Sequence, residues 1–201
     1  MPIGEAMYSQ RSIRRFRPDP IPVEDLQVIL EAAGKAPSGG NRQPARFLVL
    51  NDPDLIRQFG KLYREAWWAK RRDEQRPWTS LDGIPVHEAG MRSAARLADE
   101  IADAPCIVLA FTLMRGGASS VIPSVQNLML AARALGIGSV PTTLHATVMD
   151  RVNALLGVPR EVEFHLCVPL GYPRGSFGPT QRLPISETTF LNRWSASPSW
   201  S

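Results

Sequence analysis

The chain has 201 residues, a length for one or two domains, and no linker divides it. Hydrophobic residues make up 44% and charged residues 21%, which excludes a disordered chain and allows a sizeable core. The net charge of +4 is mild and acidic residues are interspersed with basic ones, so no nucleic-acid-binding stripe is evident, although anionic ligands are still favoured.

Ile3 to Ser9 reads as a short first helix. Next comes Gln10-Arg11-Ser12-Ile13-Arg14-Arg15-Phe16, with guanidinium groups on either side of a hydroxyl. Arg is a planar fork of donors that matches a phosphate bidentately, and Ser adds a short donor. Phe16 supplies a buried anchor, and Pro18-Asp19-Pro20 stops any helix. An anion site held by an apolar plug and a solvated basic turn both fit this stretch taken alone.

Pro22-Val23-Glu24-Asp25 opens a second helix, whose Leu26, Ile29, Leu30 and Ala33 form a core-facing stripe; Pro37 ends it. The loop from Ser38 to Pro44 is small and polar, and Gly39 and Gly40 permit unusual backbone angles. Phe47 to Leu50 reads as a buried strand. Asp52-Pro53 caps a further helix carrying Leu55, Phe59 and Leu62. From Lys61 to Pro85, Trp67, Trp68 and Trp78 alternate with Arg64, Lys70, Arg71, Arg72 and Arg76. This pattern fits either a nucleic-acid surface or an amphipathic helical flap.

Ala89 to Ala102 is another helix, and Cys106 to Phe111 is a continuous apolar run expected as a central strand. Ser119 to Leu135 reads as a helix with a stripe at Ile122, Val125, Leu128, Met129, Ala132 and Leu135, and Gly136 at its C′ position. Met114 and Met129 are expected as core filler. Ile137 to Pro141 is a short strand. Thr147 to Asp150 resembles a capping box, with Val152, Leu155 and Leu156 beyond it and Gly157 and Pro159 as the stop. Phe164 to Leu170 is the last clear strand. After Tyr172, about thirty residues rich in Pro, Gly and Ser still carry Phe177, Leu183, Ile185, Phe190, Leu191 and Trp194. Either an arm lying on another subunit or a partly disordered tail fits them.

Met1 to Glu5 shows no signal-peptide pattern and no run is long enough to span a bilayer, so a cytoplasmic protein without membrane association is expected. Cys106 and Cys167 sit in β-like runs as buried core thiols. His87, His145 and His165 lack metal-ligand spacing, so no metal is expected.

Four blocks taken together carry a resemblance. They are Arg11 to Phe16, Ala36 to Pro44, Leu135 to Pro141, and Leu170 to Pro173 with Arg182 beyond. In that order they resemble the FMN-dependent nitroreductase family across almost the whole chain, least between about residues 60 and 104. The resemblance implies an α+β fold in a single domain, with a central, mainly antiparallel sheet flanked by helices. Residues 61–104 would be a variable helical flap that often lines the substrate site. Residues 172–201 would be a C-terminal arm exchanged across a homodimer. The helix from Ser119 would pack on its symmetry mate, with Gln126 and Asn127 as interface polars.

The resemblance also implies the site. Arg11, Ser12, Arg14 and Arg182 would hold the FMN phosphate. Ser38, Gly39, Asn41 and Gln43 would border the flavin of the neighbouring subunit. Pro141, Thr142, Thr143 and Leu144 would form the loop at flavin N5, with the backbone of Thr143 and Leu144 nearest. Gln10 and Thr180 or Gln181 stand where the family often has basic residues, and Arg15, Arg17 or Arg174 would compensate. Arg96 is a candidate at the pyrimidine edge. No catalytic side chain is assigned, because the chemistry would belong to the cofactor. Electrons would pass from NAD(P)H to a nitroaromatic, quinone or similar small acceptor by ping-pong turnover. Two alternatives stand beside this: a flavin-consuming or dehalogenating member of the same fold, and an arginine-rich nucleic-acid-binding module.

Overall fold

The apolar run at Cys106 becomes the centre of the sheet, as its lack of polar residues requires. The computed structural model describes residues 1–113, 115–198 and 200; the expectation for Met114 lies outside the described residues. In chain order the elements are α1 (Ile3–Ser9), α2 (Val23–Gly34), β1 (Ala45–Leu50), α3 (Pro53–Asp73) and α4 (Ala89–Glu100). Then come β2 (Cys106–Thr112), α5 (Ala118–Ala134), β3 (Gly138–Ser139), α6 (Met149–Leu156), β4 (Glu163–Gly171) and α7 (Ile185–Thr188). The strands pair antiparallel in the order β1-β2-β4-β3.

Every residue of β2 is buried, so its two faces feed two cores. Ile107, Leu109 and Phe111 face Ile56, Phe59 and Tyr63 of α3 and Leu97 and Ala98 of α4. Cys106, Val108 and Ala110 face Leu26, Ile29 and Ala33 of α2 and Val121, Val125 and Leu128 of α5. That alternation is the period of two of a strand covered on both sides. Burial pushes the Cys106 thiol up to about 12 and raises that of Cys167, so both behave as small apolar residues.

Several local expectations need correction. The first strand starts at Ala45 and only Leu50 in it is fully buried, because it is an edge of the sheet. On α5 the buried face runs through Val121, Val125, Leu128 and Ala132, whereas Ile122 and Leu135 are exposed. The strand after α5 is only Gly138–Ser139. Thr147 forms no capping box. The turn before α6 is capped instead by His145, whose Nδ1 accepts from the Thr147 N–H, and Val148 precedes α6 without a side-chain cap.

The Trp-rich stretch also differs from its appearance. Residues 61–73 are the second half of α3, which runs on without a break. Trp68 and Trp78 are buried in a third small core with Ile84 and Ala95. Arg71 is buried against them, paired with Glu74 at 2.9 Å and lying over the Trp67 ring. This segment therefore does not offer a row of exposed rings for bases to stack on. Among the described residues no helix is long and apolar enough to cross a membrane.

Candidate functional site

The basic stretch after α1 is extended, and two glycines let it lie against the sheet. The Ile13 N–H donates to the Ser139 carbonyl at 3.0 Å, and Ser12 bridges Ser139 in parallel. A Cβ on Gly138 would lie 2.7 Å from Ile13 Cγ2, and one on Gly171 would lie 2.9 Å from Phe16 Cβ. Ile13 and Phe16 thus reach the first core only because both positions lack a side chain. Phe16 is buried, the plug expected from the sequence. Its neighbours are tied down as well. The Arg17 N–H donates to the Tyr172 carbonyl, the Arg174 N–H to the Arg15 carbonyl, and Arg174 Nε to the Phe16 carbonyl.

With its apolar residues turned inward, the stretch presents Arg11, Ser12 and Arg14 to a cleft of ≈ 440 Å³. Pro179, Thr180, Gln181 and Arg182 close its other side. The C-terminal segment reaches that place because the Thr180 N–H and hydroxyl both donate to the Tyr8 carbonyl, at 3.1 and 3.3 Å. Arg182 curls back, its Nη1 donating to the Gln181 carbonyl at 2.7 Å.

The electrostatics of the cleft are one-sided. Arg14 is half-buried, and burial pulls its guanidinium below the ordinary value; Tyr63 opposes that shift and Arg11 adds to it. Neither Arg11 nor Arg14 has an ion-pair or hydrogen-bond partner among the described residues. Two forks, a hydroxyl and a third arginine around an open hollow suit a multiply charged anion with several acceptor oxygens. The arginines expected to compensate for Gln10 do not line this cleft. Arg15 pairs with Glu100 at 2.9 Å, Arg17 lies over the Tyr172 ring, and Arg174 holds Phe16.

The loop after β3 is fixed differently. The Thr142 N–H donates to the Cys167 carbonyl at 2.8 Å, and its carbonyl accepts from the Cys167 N–H at 2.7 Å. Thr143 and Leu144 come next, and neither backbone N–H has an acceptor among the described residues. Pro141 and Thr143 are exposed or partly so. His145 is engaged on both ring nitrogens, Nδ1 with Thr147 Oγ1 at 3.0 Å and Nε2 with Asp73 at 2.9 Å. It acts there as a clasp between this loop and the end of α3. Nothing in the sequence singles out Tyr63, whose hydroxyl lies 2.8 Å from Thr142 Oγ1.

The third predicted group does not join the cleft in one chain. Asn41 and Gln43 adopt left-handed backbone angles, φ 54 and 48, and Gly40 lies between turn residues at φ 57. Such angles are strained for residues other than glycine. The turn is braced by Ser38 Oγ accepting from the Gln43 N–H at 3.0 Å and by Gln43 Nε2 donating to Asn41 Oδ1 at 3.1 Å. The Gly39 N–H points to Ser120 Oγ on α5 at 3.4 Å. Asn127, expected at an interface, donates to the Ala32 carbonyl within the chain and joins α5 to α2. Among the described residues no cluster of His, Cys, Asp or Glu has the makings of a metal site.

Comparisons with known proteins give the chain's family. A model of the Nitroreductase family matches residues 7–172. The chain is 35% identical over 196 residues to an NADH dehydrogenase of Thermus thermophilus, covering 90% of this chain and 91% of that one. It is 32% identical over 195 residues to a 5,6-dimethylbenzimidazole synthase of Rhodospirillum rubrum, covering 94% and 87%. Among solved structures, an oxidised iodotyrosine deiodinase bound to FMN and 3-iodo-L-tyrosine superposes with a TM-score of 0.72 at 25% identity, covering 97% of this chain and 100% of that one.

Proposed function

Because this chain belongs to the nitroreductase family, we propose that it binds FMN and works as an NAD(P)H-dependent oxidoreductase on a small acceptor such as a nitroaromatic or quinone. The observation that carries the proposal is the cleft of Arg11, Ser12, Arg14 and Arg182, with two guanidiniums that no acid among the described residues neutralises. A terminal phosphate, with close to two negative charges near neutrality, fits that donor set. The chain has no G-x-G-x-x-G fingerprint for a dinucleotide, which favours FMN over FAD.

When bound, FMN supplies the two-electron chemistry, taking a hydride from nicotinamide and passing electrons to the acceptor. The chain's own part is to bind and orient. Arg11, Ser12, Arg14 and Arg182 anchor the anionic end. The N–H groups of Thr143 and Leu144, which have no acceptor among the described residues, would offer flavin N5 a fixed backbone dipole that needs no titrating side chain. We place Ser38, Gly39, Asn41 and Gln43 against the flavin of a second copy, which accounts for a braced, strained turn that lies apart from the arginine cleft of its own chain. The functional unit is then a homodimer. It works in the reducing cytoplasm, where two free buried thiols such as Cys106 and Cys167 persist.

The similarity to a deiodinase and to a 5,6-dimethylbenzimidazole synthase supports a second reading, a dehalogenating or flavin-consuming enzyme on the same cofactor site. One experiment addresses both. The FMN-loaded protein is mixed anaerobically with NADH or NADPH in a stopped-flow instrument. The bleached protein is then offered a nitroaromatic, a quinone and an iodinated phenol. Bleaching followed by recolouring with the nitroaromatic or quinone is expected. No bleaching by either nucleotide contradicts the proposal, and recolouring only with the iodinated phenol moves the assignment to the second reading.

A further inference from the structure

Tyr63 ties α3 to the loop after β3. It lies one turn after Phe59 on α3 and is 2% exposed. A buried phenol needs a partner for its hydroxyl, since an unpaired polar group in a core is costly. The partner is Thr142 Oγ1 at 2.8 Å. Burial raises the phenol above its ordinary value, so it stays a neutral hydroxyl at working pH.

Thr142 is consequently anchored to two elements. Its backbone is paired with Cys167 of β4, and its side chain with α3. Pairing to a strand alone fixes one edge of a residue and leaves it free to rock about that edge. A second anchor from another element removes the rocking. Thr143 and Leu144, whose N–H groups lack acceptors among the described residues, come directly after Thr142 in the chain.

We propose that Tyr63 is a positioning residue: through its hydrogen bond to Thr142 it sets the orientation of the Thr143 and Leu144 amides, and so governs the rate of flavin reduction without touching the flavin. The proposal rests on the FMN reading above.

The test uses Tyr63→Phe, Thr142→Val and the double variant in the full-length protein. In flavin-free protein, hydrogen exchange of the paired Thr142 and Cys167 amides is followed by NMR. Each single variant is expected to speed that exchange, whereas Thr142→Ser, which keeps the hydroxyl, leaves it as in the wild type. In FMN-loaded protein, Tyr63→Phe is expected to slow bleaching by NAD(P)H about three- to tenfold at unchanged flavin occupancy and to shift the flavin midpoint potential. The double variant is expected to be no slower than the slower single one, because both remove the same bond. A purely structural role for Tyr63 would lower melting temperature while leaving rate and potential alone. Unchanged exchange of the Thr142 and Cys167 amides in Tyr63→Phe overturns the proposal, as does a loaded Tyr63→Phe protein that bleaches at the wild-type rate. A wild-type protein that takes up no FMN is a different failure: it removes the flavin reading and with it the functional half of this proposal, while the exchange experiment still decides the anchoring.

Discussion

Arg14 occupies a position that a folded chain gains little from on its own. Burial and the neighbouring Arg11 both work against its charge, and no acid pairs with it among the described residues. An anion in the cleft would remove that disadvantage, which is why we assign the pair to binding and not to stability. Arg14→Glu and Arg182→Glu are each expected to weaken FMN at least about thirtyfold, the equivalent of one lost charged hydrogen bond of roughly 2 kcal/mol. Fluorescence titration of flavin-free protein measures this, and wild-type affinity in both variants removes the phosphate assignment. Arg11, Ser12 and Arg14 could be picked out in the sequence because one wall of the cleft is local, its residues a few positions apart. Tyr63 could not. Its role depends on Thr142, far along the chain, and a Tyr at helical spacing among apolar residues reads simply as core.

Elements were legible where the stopping and starting signals are chemical. Asp52 caps α3, its Oδ1 accepting from the Leu55 N–H at 2.8 Å, and Asp52→Ala is expected to cost about 1 kcal/mol in a denaturant titration. Packing choices were less legible. The α5 stripe through Ile122 and the buried one through Val121 share Val125, Leu128 and Ala132, and only the position of α2 and the sheet selects between them. The end of the β3 loop was misread because a His side chain took the capping place that Thr147 was expected to fill. Since His145 serves as a clasp to Asp73 and Thr147, His145→Ala is expected to keep flavin and to slow its reduction less than about tenfold. Thr143→Pro removes a backbone donor and stiffens the loop, and its loss is expected to exceed about tenfold. Stopped-flow bleaching compares the two, and a collapse confined to the His145 variant would reverse the assignment.

At the scale of the molecule, the sheet and its two covering layers follow from alternation and periodicity, but the fate of the last thirty or so residues does not. Leu183, Ile185 and Leu191 remain exposed, and Trp194 is 86% exposed. Arg133 stacked over Phe177 pins only the start of this segment to α5. Apart from Trp194 lying against Phe190, these side chains stay exposed among the described residues, which is why neither the sequence nor one copy of the fold says where they go. An arm laid on a second copy would bury them. Ending the chain after Tyr172 is therefore expected to lose both dimerisation, seen by sedimentation, and flavin, because Arg182 and the wall of the cleft go with it. A truncated protein that sediments as a flavin-loaded dimer would contradict the arm. The claim on which everything else depends is that the arginine cleft holds FMN. Its most direct measurement is mass spectrometry of the flavin released by heat from purified wild-type and Arg14→Glu protein, normalised to chain. FMN is expected from the wild type at close to one per chain, with little or none from Arg14→Glu. FAD, no flavin from the wild type, or equal FMN from both would contradict it.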